Sequence, residues 1–387
     1  MPTERLWTTN FVLVCLANFA VFTSFNLLLP TLPIYVQLMG GGALSVGLTN
    51  GIFVLASIAL RPFVGRQLDK RGRTKILVAS AVAFLISAIL YNFTKSIWSL
   101  LLLRLLHGAS WATATTATHA LIADLAPPSR RGEAMGFFGI SASLAMAIGP
   151  LMGLVITGSR SPYRFTLLFA IMSVIALLNL ILVSWVREPE RHPAHFGEEA
   201  GEFRPALLPA LTMTSLTFAF GTIVTFLPLY AQARGIGNVG WFFTLCALSV
   251  MLARPLAGQL SDVKGRAAII IPGAGVAAVA VSLLIFSFNL PSFLATGVLF
   301  GLGFGATHPG LMALAVDVIP RNMRGLAMAI FATAYDLGMG LGAMVSGLVL
   351  QLAGYNVMYL FSAGVIVAGQ GVFVWGLKGQ PKKFVGD

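Results

Sequence analysis

One acid stands in the middle of a long apolar run: Asp336, in FATAYDLGMGLG. Other ionisable side chains sit in similar surroundings: Arg104 and His107 in LLLRLLHGASW, His119 further along the same run, and His308 in GATHPG. A charge placed in oil has to be neutralised, paired or put to work. An aspartate that alternates between a paired and a protonated state takes up and releases a proton, and a histidine shares that capacity. Proton transfer is therefore the first chemistry to expect, with Asp336, His308, Arg104 and His107 as the candidates. Satisfied hydrogen bonds to neighbouring helices are the plainer alternative for each. Metal binding is not expected, because His107 and His119 stand twelve residues apart on one helix without a close ligand cluster. Hydrolysis needs a nucleophile beside a base or a pair of acids, and ATP-driven work needs a phosphate-binding loop. The sequence offers none of these, so no enzyme and no cofactor is expected, with the proton as coupling ion and an intramembrane enzyme as a distant alternative.

The elements that position these residues follow from composition. Of 387 residues 57% are hydrophobic and 10% charged, far below the roughly 25% charge of a soluble domain. Apolar runs long enough to cross a hydrocarbon core of about 30 Å recur along the chain. Twelve can be placed, near 10–36, 44–66, 74–94, 97–123, 133–158, 163–187, 205–233, 238–260, 266–288, 291–316, 325–352 and 355–377. The first lacks a small-residue cleavage site and reads as a retained helix. On this map Asp336 lies about 16 Å and His308 about 13 Å inside their helices, at 1.5 Å per residue. Arg104 lies about 10 Å inside, where a functional role and snorkelling to the surface are both open. Spans 1, 4 and 7 carry the hydroxyls and amides: Asn18, Ser24 and Asn26; Ser110, Thr113, Thr115, Thr116 and Thr118; Thr212, Thr217, Thr222 and Thr225. Phe22, Phe25, Phe218 and Phe226 interleave with them. Helices so polar suit a water-filled cavity better than lipid. A wall of aromatics and hydroxyls with few fixed charges suits a small amphipathic organic molecule.

The net charge of +12 raises the question of nucleic acid. Twenty of the 25 Lys and Arg fall on one side of the twelve-span map, four (Lys95, Arg160, Arg164 and Arg234) on the other, and Arg104 inside a span. That is the positive-inside asymmetry, with both termini cytoplasmic, so the lipid bilayer accounts for the basic balance and no nucleic-acid partner is needed. The two cysteines, Cys15 and Cys246, both fall inside spans and read as small core residues.

Charge concentrates in RPFVGRQLDKRGR, residues 61–73, and RPLAGQLSDVKGR, residues 254–266, says nearly the same. The two are 193 residues apart, close to half the chain. At that offset Arg61/Arg254, Pro62/Pro255, Gly65/Gly258, Asp69/Asp262, Gly72/Gly265 and Arg73/Arg266 coincide, and so do Asp124/Asp317, Arg131/Arg324, Phe138/Phe331 and Gly149/Gly342. A repeat of six spans, an even number, gives two parallel halves. The expected domains are 1–187 and 205–387, joined by a polar cytoplasmic linker at 188–204 rich in Glu, Arg and Pro.

Two parallel six-span halves with this signature between spans 2 and 3 resemble the major facilitator superfamily. The resemblance implies an all-α membrane protein of 12 transmembrane helices in two pseudo-symmetric six-helix bundles, working by alternating access as a monomer in a bacterial inner membrane. Its loop pattern is matched by Gly65, Asp69, Gly72 and Arg73 and again by Gly258, Asp262, Gly265 and Arg266, with Gln67 and Thr74 as departures. In that family the loop acid faces a helix of the other half, which would set Asp69 near Arg324 and Gly325 and Asp262 near Arg131 and Gly132, as latches. Arg104-x-x-x-Gly108 is similar to the span 4 motif of proton-coupled members. Gly149, Pro150 and Gly153 resemble the antiporter pattern, with Ala145 in place of its first glycine. Spans 1, 4, 7 and 10 line the family's cavity, which points to Asn18, Phe22, Asn26, Thr115, His119, Phe218, Thr222 and Thr225 as substrate contacts. The expected function is proton-coupled export of a small amphipathic compound, with transport of one specific metabolite in either direction as the alternative.

Overall fold

The computed structural model describes residues 6–127, 130–158, 161–187, 204–319 and 324–377, except the side chains of Asp69, Arg131, Arg204, Asp262 and Arg324. The described chain is helical almost throughout: α1 Thr9–Leu38, α2 Ala43–Arg71, α3 Arg73–Leu90, α4 Ile97–Leu125, α5 Arg131–Ile156 and α6 Pro162–Ser184, followed by α7 Arg204–Ala233, α8 Gly240–Lys264, α9 Ala267–Leu283, α10 Leu290–Asp317 and α11 Arg324–Leu377. Within α11, Gly354 adopts φ 80°, ψ 175° and divides it into two arms, 324–353 and 355–377. With that break the helices correspond one to one with the twelve apolar runs. Ten helices are long and apolar enough to cross a membrane. The 29-residue α4 is not among those ten, because Arg104, two histidines and a series of hydroxyls dilute its leucines.

Large apolar side chains cover the outside, as a bilayer solvent requires: Trp98, Val155, Leu252, Leu352 and Trp375 are all well exposed. Polar side chains turn inward instead, and Asn18, Arg104, His107, Thr217 and Thr222 are buried.

The chain falls into two compact units, residues 1–41 with 52–194 and residues 42–51 with 195–387. In the first, α1 packs on α5 and α6, and α3 on α4 and α6; in the second, α7 packs on α11 and α10 on α8 and α9. The first ten residues from Gly42 group with the second unit, where Asn50 donates to Thr225 Oγ1 at 3.0 Å. The linker expected at 188–204 lies outside the described residues apart from the Arg204 backbone, where α7 starts.

The 193-residue repeat reaches beyond the helices into their ends. A 3-10 turn at Tyr91–Phe93 follows α3, and one at Leu284–Phe286 follows α9. Reciprocal capping boxes start the next helices: Ser96 with Ser99 for α4, Asn289 with Ser292 for α10. At the opposite ends of the helices, Gly72 (φ 98°) and Gly265 (φ 89°) turn the α2–α3 and α8–α9 connections in a conformation that a side chain disfavours. Helix crossings repeat too. A Cβ on Gly108 would meet the Phe53 carbonyl group and come within 3.1 Å of Ala56 Cβ, so α4 lies directly on the α2 backbone. A Cβ on Gly301 would meet Cys246 O and come within 2.8 Å of Ser249 Cβ on α8, at the equivalent residues.

Candidate functional site

In the first unit the ionisable residues of α4 meet the end of α3. Arg104 is 1% exposed and His107 0%, so the guanidinium does not snorkel. Its carbon lies 4.1 Å from the Phe53 ring centroid, a cation–π contact. Arg104 Nη1 donates to the Tyr91 hydroxyl at 3.4 Å and approaches His107 Nδ1 at 3.5 Å. Tyr91 and His107 Nδ1 are 2.9 Å apart. An arginine only donates. The Tyr91 oxygen therefore accepts from Arg104, and the same hydroxyl shares a hydrogen bond with His107 Nδ1. His107 Nε2 is buried without a hydrogen-bond partner among the described residues, and the imidazole ring lies edge-on to Phe84 and Phe53, with centroids 4.7 and 5.2 Å apart. Arg104, Tyr91 and His107 form one polar knot inside an aromatic cage.

In the second unit His308, on α10, is ringed by Phe304 (5.8 Å), Phe331 (5.5 Å) and Tyr335 (6.0 Å). Asp336 follows Tyr335 on α11, partly buried. The Arg254 charge on α8 acts on both His308 and Tyr335. At the 193-residue offset, His308 corresponds to Thr115, Tyr335 to Ala142 and Asp336 to Ser143. This cluster has no ionisable counterpart in the first unit at those positions.

The remaining expected residues divide by use. Asn18 donates to Ser141 Oγ at 2.8 Å, tying α1 to α5. Asn26 donates to Phe22 O at 2.8 Å, and Phe22 packs on Trp111. A Cβ on Gly149 would come within 2.6 Å of Asn26 Cβ, and one on Gly153 within 2.6 Å of Leu27 O. The Gly149-Pro150-x-x-Gly153 segment is thus where α5 lies against α1. Thr115 bonds back to Trp111 O, and His119 approaches Thr115 O at 2.7 Å with its ring against Phe138. Thr222 shares hydrogen bonds with Ser346 (2.7 Å) and Ser362 (3.1 Å), and Phe218 packs on Phe361.

In the loop motif, Arg73 Nε pairs with Asp124 Oδ2 at 2.8 Å, and Arg266 Nε with Asp317 Oδ2 at 3.1 Å. Each pair fastens the start of one helix to the end of the next, α3 to α4 and α9 to α10. The side chains of Asp69 and Asp262, and of Arg131 and Arg324 expected opposite them, lie outside the described residues. A Cβ on Gly65 or Gly258 would meet nothing within 4 Å, so close packing does not explain these two glycines. Sequence reasoning missed Tyr91, Phe53, Tyr335 and the placement of Arg254. A tyrosine facing Leu284 across the repeat was the available signal for the first.

Two repeated six-helix units with oily exteriors and buried ionisable clusters define a multi-pass membrane transporter. The Major Facilitator Superfamily model matches residues 14–239 and 236–385. The chain belongs to that superfamily. It is similar to an uncharacterised MFS-type transporter of Methanocaldococcus jannaschii, 27% identical over 92% of this chain and 94% of the other. Multidrug resistance protein MdtG of Escherichia coli is 27% identical, over 95% and 94%. Among solved structures, that of a mutant of the nucleoside transporter NupG has a TM-score of 0.78 at 12% identity, covering 95% of this chain and 99% of that one. The likeness to NupG is one of fold.

Proposed function

We propose that the protein is a proton-coupled antiporter of the bacterial inner membrane that exports a small amphipathic organic compound by alternating access. The observation that carries this reading is the packing of His308 against Tyr335, with Asp336 the next residue on α11, where the second unit departs from the repeat. The turns, caps and crossings that both copies share maintain the fold. Positions where one copy gains ionisable groups in the interior of a span are where function has been added. Asp336 is the proton carrier: protonation neutralises it, and deprotonation restores a charge that the surroundings must balance. His308, whose ring packs against the Tyr335 that precedes Asp336, tunes that exchange. Similarity to a protein named for multidrug resistance supports export, and the aromatic and hydroxyl side chains of α1, α4 and α7 support an amphipathic cargo.

The test is transport in proteoliposomes under an imposed pH gradient, using a panel of fluorescent amphipathic compounds. Asp336→Asn is expected to abolish uphill movement while leaving exchange at equal concentrations in place. Undiminished uphill transport by this variant would remove Asp336 from the coupling role.

A further inference from the structure

The α8–α10 crossing in the second unit is close, and its register sets what comes next. Gly297 lies against the Phe242 ring, Gly301 against Cys246 and Ser249, and Gly305 against Val250 and Ala253. Both helices step forward by one turn at each contact. On the next turn of the same two faces stand Arg254 of α8 and His308 of α10, and α11 contributes Tyr335, whose ring packs against His308 with centroids 6.0 Å apart. Arg254 is only partly buried, yet its Nε is buried and has no hydrogen-bond partner among the described residues. A guanidinium with a buried, unanswered donor is costly to keep. It presents a planar fork that matches a carboxylate or sulfonate through two parallel hydrogen bonds. Phe304, Phe331 and Tyr335, the rings around His308, offer apolar surface for the body of such a molecule.

We infer that the Arg254 side chain, with the aromatic ring around His308, is the binding subsite for the anionic head of the transported compound, an amphipathic organic carboxylate or sulfonate. This rests on the transporter reading above and narrows it: the cargo is an anion and not a lipophilic cation.

The experiment is equilibrium binding to the purified full chain in phosphatidylcholine nanodiscs, by calorimetry, with two probes of the same shape and opposite charge: 1-naphthylacetate and (1-naphthylmethyl)trimethylammonium. The wild type is expected to bind the anion and not the cation. Arg254→Gln is expected to weaken anion binding by about tenfold or more, the loss of charge-assisted hydrogen bonds. Arg254→Lys keeps the charge but loses the fork and is expected to fall between the two. If the glutamine variant does not fold, the lysine variant still decides the matter through its intermediate affinity. Binding of the cation in preference, or unchanged anion binding in both variants, overturns the inference. Displacement of the anion by added phosphatidylglycerol identifies a lipid-headgroup site and likewise overturns it. None of these outcomes bears on Asp336→Asn in the transport assay, so a failed coupling role and a failed anion site are told apart.

Discussion

At the scale of single residues, Arg104 shows how a charge is kept inside a membrane helix. It lies over a ring, donates to a phenol and stands beside an imidazole already engaged by that phenol. Tyr91 is the pivot, because its hydroxyl is shared by both α4 side chains. Tyr91→Phe keeps the ring, stacked on Phe169 at 5.3 Å, and removes only the hydroxyl. A hydrogen bond between membrane helices contributes about 1 kcal/mol, so the detergent-purified variant is expected to melt a few degrees below wild type. Tyr91→Leu installs the residue that the second unit carries at this place, Leu284. It also loses the stacking and should melt lower still. Equal melting of Tyr91→Phe and wild type would mean that the knot is held by the cation–π contact and packing alone.

At the scale of helices, glycine has two uses that a sequence pattern does not separate. Gly108 and Gly301 are contact glycines, where α4 and α10 lie on the backbones of α2 and α8. Gly65 and Gly258 face open space inside helices. Gly108→Ala and Gly301→Ala force the helices apart and are expected to destabilise by about 1–3 kcal/mol each, as overpacking does. Gly65→Ala is expected to be neutral or to stabilise by up to about 1 kcal/mol, by removing a flexible residue from a helix. Thermal unfolding of the three variants checks the division. A stable Gly65→Ala variant that no longer transports would assign that glycine to movement of the protein. Arg104-x-x-x-Gly108 thus has two separable parts: the glycine sets the crossing, and the arginine occupies the cage that the crossing forms. Where the second unit has Gly297 at the equivalent of Arg104, the Phe242 ring fills the place.

At the scale of the whole chain, the repeat was legible because turns, caps and contact glycines constrain residue type at fixed spacing, and helix ends followed from the apolar runs. The break at Gly354 was legible for the same reason. Arg73–Asp124 and Arg266–Asp317 were aligned across the repeat but not recognised as pairs, since 51 positions separate the partners and only the return of the next helix brings them together. The Arg254 placement was hidden by its resemblance to an ordinary interfacial base. The repeat also constrains topology. The 3-10 turns at Tyr91–Phe93 and Leu284–Phe286 are equivalent and carry no charge, whereas the ends of α2 and α8 carry Lys70, Arg71 and Lys264. Both turns should therefore emerge on the outer face and both basic ends on the inner one. With Cys15 and Cys246, the two free cysteines, replaced by alanine, Asn92→Cys and Phe286→Cys are expected to react with a membrane-impermeant maleimide in intact cells. Arg71→Cys and Lys264→Cys are expected to react only after permeabilisation. Labelling of the two turns from opposite sides would mean that six spans do not separate the equivalent positions, and the parallel arrangement would fall with it.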